Sequence, residues 1–446
     1  MKTIRFPHPL VLLVGFILLA CLLSYVLPTG IFDRHPDAAT GRDVVVAGSY
    51  RRVAAAPVSP LQALVAIPKG LVDAASVIFL VFLAGGAFTV VDQTGALRHG
   101  VDWLLARFRG REAGVIPIIS VLFATMGALE NMQEEIIPLI PVLLVLMRRI
   151  GYPPLTAAAV SLGSAAVGAA FSPLNPFQVG IAQKLAQLPL LSGGGFRLVF
   201  LGLAVAFWIA GTVRYALRHR VAPETDDAAE AATQGRRHGL VLALLLITFS
   251  VFAYGVLKLG WEFEQMAALF FALGVVAGLV GGLGLTGTAE SFISGCRDMA
   301  FSAILIGFAR AIFVVLEQGQ IVDTIVNGLS APLAGLPVVL SALGMLGLHT
   351  ALHLPVPSVS GQAVLTMPLL VPLSDLIGLS RQVTVLAYQY GAGLCELITP
   401  TNGALMAIVA VCGVRFDAWW KFVLPLYAGL LLLAVVAIVV GIMVKL

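Results

Sequence analysis

Long uncharged runs constrain this chain more than any other feature. "PLVLLVGFILLACLLSYVL" (9–27) and "LYAGLLLLAVVAIVVGIMV" (426–444) contain no charged residue. Each is long enough to cross a bilayer, which takes roughly 20 residues. About ten to twelve such segments lie between the two ends. Of the 446 residues, 59% are hydrophobic and 11% charged, with mean hydropathy +0.99. Soluble chains carry about 25% charged residues, so the composition predicts an all-α polytopic membrane protein.

The net charge of +4 falls in loops and describes no nucleic-acid surface. Cys21, Cys296, Cys395 and Cys412 stand singly in apolar runs without metal or redox spacing, and read as small buried side chains. The start resembles a signal peptide, and "LLAC" resembles a lipid-attachment site. The apolar run continues past Cys21 to Leu27, however, which favours a retained first helix.

Residues 29–60 are polar, with valines around a glycine turn, and predict a short hairpin or extended loop at the membrane surface. A second span is expected at 71–92. The loop that follows holds Arg98, Arg107, Arg109 and Arg111, a pattern that stays cytoplasmic. Residues 214–238 are basic at both ends and acidic in the middle, a solvated cytoplasmic connection.

The two halves resemble each other. "VVDQTGAL" (90–97) matches "VVLEQGQI" (314–321), "GYPPLT" (151–156) lies opposite "GLSRQV" (378–383), and "SPLNP" (172–176) lies opposite "TPTNG" (399–403). The offset grows only from 224 to 227, which favours an internal duplication. The arginine-rich loop 93–112 corresponds to 316–337, which has no Lys or Arg, so the repeats are expected to be inverted. Arg34, Arg42, Arg51 and Arg52 run against that scheme, because they fall in a loop it places outside; Asp33, Asp37 and Asp43 partly offset them.

Two re-entrant hairpins are expected. Segments 113–129 and 136–147 flank "ENMQEE" and end in basic residues, so this hairpin enters from the cytoplasm. "ALGMLGLHTALHL" and "AVLTMPLLVPL" flank "PVPSVSGQ" (355–362) and enter from the other face. The resulting division is 1–70 (first helix and outer loop), 71–213 (first repeat), 214–238 (linker), 239–294 (additional scaffold helices) and 295–446 (second repeat).

Proline has no N–H and clashes with the carbonyl four residues earlier. Pro173 and Pro176 therefore free the carbonyls of Ala169 and Ser172, and Pro400 frees that of Glu396. Bare backbone at membrane depth is tolerated only in protein or facing water, and there it can bind ions or anionic groups. Ordinary proline kinks are the plain alternative. Two kinks at matched positions, each with an Asn, favour a site, with Ser172, Asn175, Thr399, Thr401 and Asn402 as neutral ligands. At the hairpin tips, Ser358 and Ser360 stand beside Gly361, while Glu130, Glu134 and Glu135 form an acidic cluster that needs a partner or a cation if buried. If the tip reaches water instead, these acids are simply solvated. Arg310, alone in an apolar span, reads as an ion-pair partner of Glu396 or the hairpin acids, or as a contact for a substrate carboxylate. His349 and His353 share a helix face at i, i+4, but the zincin pattern needs Glu where Thr350 stands, so packing or hydrogen bonding within the hairpin arm is the stronger reading and no metal is expected. "DAWW" with Lys421 and Phe422 reads as an interfacial anchor.

The ordered set "LPTGIFDR", "VAGSY", "GALENMQEEIIPLIPVL", "FSPLNPFQVGIAQ", "VPSVSGQAVLTMPLLVPLSD" and "TPTNGALMAIVAVCGV" resembles the YfcC-type transporters over essentially the whole chain. These belong to the C4-dicarboxylate anaerobic carrier-like group of the ion transporter superfamily. The resemblance implies scaffold and transport domains, two opposed hairpins, two broken helices, an elevator-type cycle and a homodimer. It puts the hairpin-tip role on Glu134, Glu135, Ser358, Ser360 and Gly361. It puts the broken-helix role on Ser172, Asn175, Thr399, Thr401 and Asn402. Related sodium symporters have Ser-Asn-Thr at both tips; here the first tip is acidic and the second reads "SVSG". The resemblance also leads one to expect an acid near "YQYGAG", where this chain has Ala392; either Glu396 nearby is the substitute or the specificity differs.

The expectation is a secondary transporter of a bacterial-type inner membrane, with a cytoplasmic N-terminus, a small-molecule solute and sodium or proton as coupling ion. No cofactor and no nucleic-acid partner are expected. Basic or zwitterionic amino acids such as arginine or ornithine are preferred. The alternatives are a C4-dicarboxylate or short carboxylate carrier, an intramembrane metalloenzyme at His349 and His353, and a channel.

Overall fold

The computed structural model describes residues 8–37, 42–55, 57–97, 99–100, 114–130, 133–223 and 235–446. Among them, seven helices are long and apolar enough to cross a membrane: Pro9–Val26, Ala75–Gln93, Gly194–Arg218, Phe263–Gly281, Gly284–Gln318, Val359–Ile377 and Phe416–Met443. Shorter apolar helices, Val115–Leu129, Pro154–Ala170, Arg237–Phe252 and Val338–Leu352, supply the rest of the expected apolar segments. Exposed Leu22, Leu203, Leu246 and Leu432 leave an apolar outer surface, as a protein solvated by lipid requires. The chain is a multi-pass membrane protein.

The expected span at 71–92 corresponds to the helix Ala75–Gln93, and a helix that was not expected precedes it. Pro60–Asp73 is a helix with Ser59 as N-cap, its hydroxyl accepting from the Gln62 amide. A second helix, Ala75–Gln93, follows after Ala74. Arg107, Arg109 and Arg111 of the loop read as cytoplasmic lie outside the described residues, as does Arg98.

The polar stretch after the first helix forms short antiparallel pairs, Arg34–Asp37 with Arg42–Val45 and Gly30–Ile31 with Arg51–Arg52. This strap lies on the helix Val322–Ser330. The Phe32 amide donates to Asp323 (2.9 Å), Arg34 pairs with the same carboxylate at 2.6 Å, and the Tyr50 hydroxyl meets Thr324 at 2.9 Å.

The order of elements recurs. In the first half, a hairpin (Val115–Glu130, then a tight turn Glu134–Leu139 and helix Ile140–Ile150) is followed by an interrupted helix. That helix runs through Pro154–Ala158, Ala159–Gly163 and Ser164–Ala170, breaks, and resumes at Pro176–Gly180 and Ile181–Leu185. In the second half, a hairpin (Val338–Leu352 and Val359–Ile377) precedes Arg381–Cys395, a break, and Gly403–Val411. Each interrupted helix is followed by a long one, Gly194–Arg218 and Phe416–Met443, whose tryptophans serve it. Trp208 donates its indole N–H to the Ala159 carbonyl at 3.0 Å, where the helix widens. Trp419 and Trp420 donate to the Leu397 and Ile398 carbonyls at 2.8 and 2.9 Å. The pair read as an interfacial anchor therefore satisfies carbonyls released by the second break, a use that spacing along the chain could not disclose.

Candidate functional site

The two interrupted helices cross each other at Ala170 and Gly393. A Cβ on Gly393 would stand 2.9 Å from the Ala170 Cα and 2.7 Å from the Gln178 side-chain oxygen, so only glycine permits the approach. Gln389 then bridges the halves: its amide donates to the Ser172 carbonyl at 2.7 Å and accepts from Arg197 Nε at 3.2 Å. The Ser172 carbonyl, freed by Pro176, is thus taken by a glutamine of the other half. Both breaks and both hairpin tips lie around one region of the molecule.

Beside the crossing lies a cavity of about 680 Å³. The first hairpin tip contributes Gln133, Glu134 and Glu135; the second contributes Ser358, Ser360 and Gly361. The second break adds Glu396, Thr401 and Asn402, and the long helix Gly284–Gln318 adds Arg310 and Glu317. Asp73 and Arg34 complete its charged lining. Nine of the residues singled out in the sequence therefore meet here: Glu134, Glu135, Ser358, Ser360, Gly361, Thr401, Asn402, Arg310 and Glu396. Glu130's side chain lies outside the described residues.

Ser172, Asn175 and Thr399 are buried and stand behind this wall. The Ser172 hydroxyl donates to the Ala128 carbonyl (2.6 Å), and Asn175 Nδ2 donates to the Gly127 carbonyl (2.8 Å). Those carbonyls belong to the last turn of Val115–Glu130, where a helix has no N–H of its own to offer. In return, the Asn175 side-chain oxygen accepts from the Phe177 and Gln178 amides at 2.9 and 2.8 Å. The first break caps a hairpin and starts a helix. It presents Phe177 alone to the cavity.

The second break differs. Thr401 donates to Leu354 (2.8 Å) at its own hairpin's end, matching Ser172 in kind. Asn402 instead crosses to the other half: its Nδ2 donates to Glu396 Oε2 at 2.9 Å and to Gln133 of the first hairpin at 3.3 Å. Its side-chain oxygen caps the next helix through the Leu405 amide. Ser358 likewise caps its helix by accepting from the Gly361 amide. Two helix N-termini, at 358–361 and 402–404, thus open on the cavity, and each favours negative charge.

The expected pairing of Arg310 with Glu396 or the hairpin acids is not formed. Arg310 faces Asp73 at 3.5 Å and lies over the Phe313 ring. Asp73 closes a helix that was not expected ahead of the span at 71–92, so its part was missed. Glu396 is instead 3.8 Å from His353 Nε2. His349 and His353 do share a face, but Gln362 stands between their Nδ1 atoms at 3.0 Å from each, as hydrogen bonding within the hairpin requires. Gln133, Gln362, Phe177, Glu317 and Arg34 were also missed as site residues, although Gln133, Phe177 and Gln362 stand inside the motifs "ENMQEE", "FSPLNPFQVGIAQ" and "PVPSVSGQ".

The match to the family described as C4-dicarboxylate anaerobic carrier extends over residues 6–443. An Escherichia coli protein named "Putative basic amino acid antiporter YfcC" is 33% identical, with 98% of this chain and 96% of that protein covered. An uncharacterized protein of Haemophilus influenzae is 29% identical, with 98% and 97% covered. The YdaH transporter structure from Alcanivorax borkumensis aligns over 99% of each chain with a TM-score of 0.44 and 18% identity. With a family match that runs nearly from end to end, the chain belongs to the C4-dicarboxylate anaerobic carrier family of membrane transporters.

Proposed function

We propose that this transporter exchanges a cationic amino acid, such as arginine or ornithine, bound in the cavity between the two hairpin tips. The observation that carries the reading is the charge of the wall. Asp73, Glu134, Glu135, Glu317 and Glu396 line it against Arg34 and Arg310, and both arginines already face carboxylates, Asp323 and Asp73. A charged group at membrane depth is costly and needs a counter-charge. A substrate with a side-chain cation supplies one to the acids, while its α-carboxylate meets the helix N-termini at Ser360–Gly361 and Gly403–Ala404. The name of the Escherichia coli relative agrees with this reading.

Opposed repeats and an elevator-type cycle suit it. Each half has one hairpin and one interrupted helix, and the loop charges read from the sequence put the two on opposite faces. The inner membrane, a cytoplasmic N-terminus and a homodimer belong to the same proposal. One observation favours a second reading, a dicarboxylate carrier: Arg310 lines the cavity and could hold a carboxylate in place of Asp73.

Exchange in proteoliposomes separates the two. Vesicles preloaded with unlabelled arginine should take up labelled arginine, and Glu134→Gln should reduce this at least about thirtyfold, the effect of losing roughly 2 kcal/mol from a charge contact. Succinate exchange that survives Glu134→Gln, with no arginine exchange by the unsubstituted protein, would overturn the first reading in favour of the second.

A further inference from the structure

One polar chain runs behind the cavity wall. The Val356 carbonyl can only accept, and Gln362 Nε2 lies 3.0 Å from it, so the orientation of that amide is settled. The other hydrogen on Gln362 Nε2 faces His353 Nδ1 at 3.0 Å, which must accept. The amide oxygen faces His349 Nδ1 at 3.0 Å, which must donate. A neutral His353 therefore carries its proton on Nε2. That atom is fully buried, has no hydrogen-bond partner, and points at Glu396 Oε1 from 3.8 Å. An orphaned N–H beside a carboxyl group is costly unless that group changes state.

We propose that Glu396 is the proton-carrying site of the exchange cycle, and that His353, held in one tautomer by Gln362, is the positioning residue that receives its carboxylate. This deepens the reading of a cation exchanger and rests on it. With the cavity empty of solute, Glu396 holds a proton on Oε1, and the two facing hydrogens keep His353 at the observed separation. When a cationic solute enters, that proton leaves to cavity water, the carboxylate pairs with the solute, and the His353 N–H closes onto Oε1. Asn402 serves Oε2 in both states. Proton and cation thus exclude each other at one carboxyl group, which is what antiport requires.

The groups around Glu396 are few. Gln133 and Glu134 face it from the first hairpin tip. Cys395 adjoins it and meets the Tyr427 hydroxyl at 3.6 Å. His349 lies beyond Gln362 against the Tyr388 ring, and Arg310 lines the same cavity from the long helix, paired with Asp73. Glu134 stands beside it as a second carboxyl group, and Asn402 donates to Oε2.

Infrared titration of the purified full-length protein tests this without transport. A protonated-carboxyl band should titrate in the solute-free protein and be missing in Glu396→Gln. In His353→Leu it should persist to about tenfold lower proton concentration, the loss of one donor to the carboxylate, while His353→Gln, which places an amide N–H near the same point, should restore the original midpoint. An unchanged midpoint in His353→Leu, or a band that survives in Glu396→Gln, would overturn the proposal. If His353→Leu does not fold, proton release decides instead: arginine added to lightly buffered protein should release one proton per molecule bound. Arginine binding without release defeats this inference alone; absent arginine binding with the infrared titration intact defeats only the substrate assignment.

Discussion

The two breaks carry matching sequence signatures and different duties. At the first, Asn175 reaches back to Gly127 of its own half's hairpin and takes two amides of the helix it starts. At the second, Asn402 starts its helix in the same way but sends its amide nitrogen to Glu396 and across to Gln133 of the other half. One break is consumed by the fold. The other keeps a carboxyl group and a helix N-terminus turned to the cavity. The lesson is that a proline-asparagine interruption states where backbone groups come free, and the tertiary partners decide whether protein or solute satisfies them.

The sharpest way to break this comparison is to truncate both amides. Asn175→Ala removes two buried hydrogen bonds and one half-buried one and should lower stability by about 2–4 kcal/mol. Thermal unfolding of detergent-purified protein reads that loss, while arginine affinity of the folded fraction should stay within about twofold, since no cavity group is removed. Asn402→Ala also removes three hydrogen bonds and should cost a similar amount, about 2–4 kcal/mol, yet reduce arginine exchange more than about tenfold, as befits a lost hydrogen bond to a charged group. Equal transport losses in the two variants would show that the first break also handles solute.

A smaller effect is expected at the link between the halves. Gln389→Leu leaves the Ser172 carbonyl and Arg197 Nε without their partners, and Arg197 Nη2 is already buried without one. A loss of about 1–3 kcal/mol should follow in the same unfolding measurement. If the halves move independently of this contact, the variant would unfold like the unsubstituted protein.

What the sequence disclosed follows from how local each signal is. The spans, the strap hairpin, both breaks and both tips were legible, because hydropathy, glycine turns and proline act over a few residues. The duty of each polar group was not. Ser172 looked like a ligand, and its partner, Ala128, lies 44 residues away. Arg310 read as a partner of Glu396 or the hairpin acids, or of a substrate carboxylate, because Asp73 closes a helix that the sequence did not announce. The tryptophans of "DAWW" had the composition of a membrane anchor, and only the folded chain brings them to the carbonyls at 397 and 398. Nine of the residues singled out still reach the cavity wall, since freed backbone and intramembrane charge gather where solvent or solute can satisfy them.

The smallest effect belongs away from the cavity, where the second hairpin and the second interrupted helix are tied to the first half. Arg381 forms a two-point pair with Asp375, at 2.9 and 2.7 Å, and donates to the Ala186 carbonyl at 3.0 Å. Geometry of this kind suggests strength, but both side chains are about a third or more exposed, and water screens such pairs to roughly 0.2–1 kcal/mol. A double-mutant cycle of Arg381→Ala and Asp375→Ala should return a coupling in that range, falling further as salt is raised. Arginine exchange should be untouched in both variants. A coupling of several kcal/mol, or a loss of exchange, would mean that this tie bears on the transport cycle, and that the contrast between a structural first break and a functional second one is drawn too narrowly around the cavity.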